Sequence, residues 1–182
     1  MKVMVGQVTD DEHLFRRVRG SVAGQTCYQT VGNRVLFSQS AFNDPDKEPS
    51  ADRAGLRANP ELSRFVPEDG IVTLGVDQVR KIGPIDKLTE RGKPAKDSQG
   101  RKIGYTVDVV PKPRWGNCPH ALIVMVPGAA GAGAFKRLKE ALARLASDAG
   151  WTIQPHLPIS QPRENPLRDV IRCLGGRFVG RL

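Results

Sequence analysis

Flat side chains are scarce in this chain: Phe, Trp and Tyr together make up 5% of 182 residues. Cysteines number three, and Cys27, Cys118 and Cys173 lie far apart with no Cys-x-x-Cys among them. An odd, dispersed set excludes a disulfide framework. Cys118 and His120 flank Pro119, but a zinc site needs three or four ligands, and His13 and His156 are remote in sequence. No metal and no cofactor are therefore expected. Long apolar runs are missing too. The longest, Ala121–Val126, is far too short to span a bilayer. The opening "MKVMVGQVTDDEH" has no apolar core of a signal peptide. A reduced bacterial cytoplasm, with no membrane partner, is the resulting expectation.

Two catalytic signatures are also absent. "PGAAGAGAF" at 127–135 lies between an apolar strand and a helix, but no Gly-Lys-Ser/Thr follows and the glycines do not space as Gly-x-Gly-x-x-Gly. It reads as a flexible turn. Ser38 or Ser40 could be drawn with His120 and Asp52 as nucleophile, base and orienting acid, yet no Gly-x-Ser-x-Gly surrounds either serine.

What the chain has in excess is positive charge. Lys and Arg total 28 against 19 Asp and Glu, a formal net charge of +9. A basic protein of this kind meets polyanions, above all nucleic acid. The densest stretch, residues 80–102, carries eight Lys/Arg and three Asp/Glu and is broken repeatedly by Gly and Pro. It reads as an exposed arm or long hairpin loop. Lys87, Arg91, Lys93, Lys96, Arg101 and Lys102, with Lys112 and Arg114 beyond it, are the candidate phosphate contacts. Tyr105 and Trp115 are the nearest flat surfaces on which a base could stack, so backbone contact is expected over base readout.

Periodicity places the elements. Thr9 and Glu12 form a capping-box pattern that would start a helix, while Leu14, Phe15 and Val18 would equally suit a strand. Two β-prone runs around Gly32-Asn33 predict a hairpin. Residues 42–69 read as loop, rich in residues whose side chains bond local backbone. "GIVTLG" at 70–75 reads as a strand, and the segment from Val76 as one or two helical turns. Ile103, Tyr105, Val107 and Val109 alternate as a strand with one buried face, and "HALIVMV" at 120–126 suits a central strand. Phe135, Leu138, Leu142 and Leu145 follow helical spacing up to Gly150, and "WTIQP" would return as a strand. Asn165 and Pro166 open a short amphipathic helix bearing Leu167, Val170, Ile171 and Leu174. The expected fold is α+β: a single domain with a mixed β-sheet, one long amphipathic helix and a short C-terminal helix. Residues 1–126 would form the core and 127–182 a helix with a basic extension packed on it.

"LFRRV", "SQSAFND", "SADRAGL" and "PHALIV" together resemble a group of short uncharacterised bacterial proteins with LYRR-, SSAAF-, SVDR- and PAHA-like motifs. The likeness covers roughly residues 12 to 126 and carries no activity. It implies that Ser40, Phe42, Asp52, Arg53 and His120 belong to one shared surface or core. An early arginine strand followed by a strand ending in hydroxyls is similar to ADP-ribosyltransferase-like folds, including the RES type. That likeness implies a small enzyme or toxin acting on NAD or nucleic acid, with Arg16 or Arg17 and Ser38 or Ser40 in its site.

Three functions follow as expectations. The leading one is a small basic, non-catalytic subunit that touches RNA or DNA phosphates within a larger bacterial assembly of the defence or mobile-element kind. The second is an enzyme, a transferase or nuclease, using Arg16, Arg17, Ser40, Asp52 and His120. The third is a protein-interaction adaptor that uses the terminal amphipathic helix.

Overall fold

The Thr9 N–H donates to Glu12 Oε1 at 2.9 Å, and the Glu12 N–H donates to the Thr9 carbonyl at 3.2 Å. The first is half of a capping box and the second closes a turn, yet the chain that follows is a strand, β1 (His13–Val18). Alternation decides this: Leu14, Arg16 and Val18 are buried on one side of the strand, which a helix could not achieve. The Glu12 carboxylate is shared: besides the Thr9 N–H it accepts the Arg53 fork at 2.7 and 2.8 Å.

The computed structural model describes residues 6–57, 59–114, 116–128 and 130–156. The expected helix over 165–174 and its basic extension lie outside the described residues. After β1 come the short strands β2 (Ser21–Val22) and β3 (Gln25–Thr26), then the hairpin β4 (Tyr28–Val31) and β5 (Arg34–Phe37). Next are β6 (Ser50–Arg53), β7 (Gly70–Gly75), α1 (Val76–Arg80) and β8 (Ile85–Asp86). The last are β9 (Gly104–Pro111), β10 (His120–Val126) and α2 (Ala132–Ala149). In the hairpin turn, Gly32 takes a φ of +59°, a left-handed value that suits a glycine at this position of a two-residue turn.

Six strands form the main sheet in the order β7-β1-β6-β10-β9-β8. The α+β class is as expected. Where a mixed sheet was anticipated, each of these pairings is antiparallel. The return strand expected at "WTIQP" is a single bridge: Ile71 and Ile153 exchange backbone hydrogen bonds of 2.9 and 3.1 Å at the outer edge of β7. Residues 42–69 are not all loop, because β6 runs through them and lies between β1 and β10.

The inner face of the sheet makes the core. In-register neighbours share a face, so Leu14, Leu74, Ile123, Val109 and Val107 meet there. The stripe Phe135, Leu138, Leu142 and Ala146 of α2 covers them. Each fully buried Leu of that stripe contributes about 1.5–3 kcal/mol relative to exposure. Gly150 ends α2, with a φ of +72° and its N–H on the Ala146 carbonyl. Trp151 then stands edge-on to Tyr28 and Phe37, with ring centroids 4.9 and 4.6 Å away. No helix among the described residues is long and apolar enough to cross a membrane.

Candidate functional site

β1 and β6 are neighbours for only two residue pairs, Leu14 with Arg53 and Phe15 with Asp52. β1 then continues along β7 to Val18, while Ser50 and Ala51 of β6 pair with β10 alone. The strands part, and the parting opens a cleft of about 250 Å³. Arg16, Arg17, Ser40, Asp52 and His120 all line it, with Phe65 at its side. The five residues proposed from sequence thus lie around one cavity, although they span more than a hundred positions. The structure also shows what each side chain is already doing.

Arg16 bridges the gap. Its Nη1 donates to the Ser50 carbonyl at 2.6 Å and to Ser50 Oγ at 3.2 Å, and its Nε and Nη2 donate to the Ala41 carbonyl at 3.2 and 2.7 Å. Asp44 Oδ2 lies 2.8 Å from Nη2 as an ion contact without hydrogen-bond alignment. The guanidinium fork supplies donors to one carbonyl of β6, Ser50, and to one of the 39–42 turn, Ala41, and so joins β1 to both. Arg16 is thus a clamp inside the fold.

Asp52 is similarly occupied. Its Oδ2 accepts from Ser63 Oγ at 2.7 Å, and its Oδ1 accepts from Asn117 Nδ2 at 3.0 Å. Arg57 Nε approaches Oδ2 to 2.9 Å, close in charge but not aligned as a hydrogen bond. Arg57 also donates to the Leu62 carbonyl and to Asn117 Oδ1, tying loop 54–63 to the β9–β10 turn. Ser38 Oγ donates to the Thr26 carbonyl at 2.6 Å and accepts from the Ser40 N–H, as turn serines do. Ser40 Oγ donates to Gln25 Oε1 at 2.8 Å, so its proton is not directed to His120. The nucleophile–base pair drawn from the sequence is not formed.

His120 begins β10 and is buried. Its Nδ1 lies 2.9 Å from the Lys112 carbonyl. Burial pushes the imidazole below its ordinary pKa, and Arg114 pushes the same way; the Lys112 carbonyl, Asp52 and Asp44 oppose. Arg17 sits over the Phe65 ring, its guanidinium carbon 3.5 Å from the centroid, with Nη1 at 3.4 Å from Asp69 Oδ2. Burial lowers its pKa, opposed by Asp69 and assisted by Arg19 and Arg16.

The eight candidate phosphate contacts fall into two groups. Lys112 and Arg114 follow β9 and are exposed near His120. Lys87, Arg91, Lys93, Lys96, Arg101 and Lys102 are exposed on the arm that precedes β9. Eight residues of strand separate the groups, about 25 Å at 3.4 Å per residue. The arm is ordered rather than a plain loop. Leu88 bridges Pro94 and Lys96 bridges Lys102, and the turns between them use Gly92 and Gly100 at positive φ.

One expectation about flat surfaces changes. Tyr105 is 5% exposed and packs in the core, so it offers no stacking face, and Trp115 lies outside the described residues. Phe65, which the sequence did not single out, is 76% exposed beside the cleft. Arg57, Ser63, Asn117 and Asp69 were missed as well. Their types are ordinary loop residues, and only the fold brings them to β1 and β6. Among the described residues no three His, Cys, Asp or Glu side chains group as metal ligands, and Cys27 and Cys118 are free thiols. Comparison with family models, with curated proteins and with solved structures finds no match to this chain.

Proposed function

We propose that the protein is a small basic, non-catalytic subunit that contacts nucleic-acid phosphates within a larger bacterial assembly. The observation that supports this most is the state of the arm's cations. Lys87, Arg91, Lys93, Lys96 and Lys102 are exposed and have no ion pair among the described residues; Arg101 alone has one, to Asp97 at 2.8 Å. Exposed like charges crowded on one arm repel one another, and a polyanion relieves that repulsion. Because bridges already order the arm, little chain entropy is lost when phosphates bind. The catalytic alternative is weaker, since Arg16, Ser40 and Asp52 each serve partners within the fold.

Salt dependence tests this. Replacing Lys93, Lys96, Arg101 and Lys102 together by Gln should weaken binding equally for unrelated sequences. It should also flatten the log–log salt slope by roughly 3–4 units on duplex DNA. An unchanged slope would mean that the arm is merely solvated. Loss of preference for one sequence would mean that it reads bases.

A further inference from the structure

We infer that Phe65 is a stacking platform for an unpaired nucleobase, so that the cleft side of the protein selects single-stranded over duplex nucleic acid. This rests on the nucleic-acid function proposed above and adds a second contact of a different kind.

The ring is built into place. Arg17 covers one face, its guanidinium carbon 3.5 Å from the centroid. Asp69 secures both partners: Oδ2 accepts the Phe65 N–H at 3.2 Å and lies 3.4 Å from Arg17 Nη1. Asp69 itself is 4% exposed, so the anchor is buried while the ring it holds is not. With one face held by a cation and the ring 76% exposed, nothing among the described residues covers the opposite face, which can take a flat partner.

Charge around the ring suits a nucleotide. The two carboxylates that line the cleft each have an arginine beside them, Asp44 with Arg16 and Asp52 with Arg57, and the buried Asp69 behind the ring has Arg17; Glu68 is an exposed acid on the ring's own loop. Arg19 lines the same cleft, is exposed, and has no ion pair among the described residues. Lys112 and Arg114 add exposed cations on the His120 side. A base on Phe65 therefore has uncompensated cations at hand for its phosphates. Duplex DNA or RNA cannot use the ring without unpairing a base, because paired bases expose only their edges.

Leu62 and Val66 are exposed on the same loop, so an apolar protein surface is the competing occupant. The test uses the full chain and its Phe65→Ala, Phe65→Trp and Leu62→Ser variants. The probes are a labelled oligouridylate, an abasic strand of the same length and a duplex of the same length. Phe65→Ala should weaken oligouridylate binding about 10- to 100-fold and leave abasic-strand and duplex binding as in the unaltered chain. Its salt slope should not change, since no phosphate contact is lost. Phe65→Trp should retain binding. Unchanged oligouridylate affinity in Phe65→Ala overturns the inference. So does an equal loss in Leu62→Ser, which would mark an apolar docking patch, or an equal loss on the duplex. If the Gln-substituted arm weakens binding and Phe65→Ala does not, only the stacking platform falls; if the unaltered chain binds none of the probes, the nucleic-acid function falls with it.

Discussion

His120 Nδ1 lies 2.9 Å from the carbonyl oxygen of Lys112, across the turn that joins β9 to β10. A carbonyl only accepts, so Nδ1 carries the proton of the neutral ring and Nε2 is the basic nitrogen. The contact fixes the ring of a residue that begins the central strand and lines the cleft.

A pH dependence of stability follows. Folding lowers the His120 pKa through burial, from an ordinary 6.5, so the unfolded chain takes up this proton more readily than the folded one. The contribution is present above the unfolded value and is lost as pH falls through the lower folded value. Urea midpoints should therefore drop on acidification below about pH 6.5, and less steeply in His120→Gln. A wild-type protein that gains stability on acidification through this range, with His120→Gln abolishing the gain, would show instead that Asp52 and Asp44 favour the imidazolium.

Arg16 should matter for stability more than its charge suggests. Arg16→Met removes donors from the Ala41 and Ser50 carbonyls and leaves Asp44 without its cation. The expected cost is about 2–4 kcal/mol, a fall of roughly 4–16 °C in the melting temperature for a chain of this size. Arg16→Lys should recover little, because one ammonium cannot reach both carbonyls as the fork does. Melting of either variant at the wild-type temperature would show that the clamp contributes nothing.

Gly70 marks where the end of the described chain presses on the sheet. A Cβ built at this position meets the Trp151 ring directly. Gly70→Ala should cost about 1–3 kcal/mol by overpacking. In a Trp151→Leu background the same substitution should cost clearly less, because the two positions are coupled. Equal costs in both backgrounds, measured by denaturant unfolding, would mean that the backbone at Gly70 and not the indole sets the limit.

Much of the fold is legible along the chain, because its signal comes from neighbours a few residues apart. The 3–4 spacing of Phe135, Leu138 and Leu142 with Gly150 behind it marks α2; the alternation of Tyr105, Val107 and Val109 marks β9; the run after His120 marks β10. In each, one side chain's burial implies that of the next on the same face. The net charge and the exposed arm are equally plain, since both depend on composition and on breakers placed close together. The tertiary structure alone decided β6. Ser50–Arg53 has no apolar alternation, and its charged residues are buried with partners that include distant ones: Glu12 for Arg53 across 41 positions and Asn117 for Asp52 across 65. The cleft exists because β1 and β6 part after two pairs, which depends on what each strand meets on its other side. Phe65 is an exposed ring among the described residues for the same reason. An aromatic in a loop is ordinarily a core anchor, and here Arg17 and a buried Asp69 hold it outside the core.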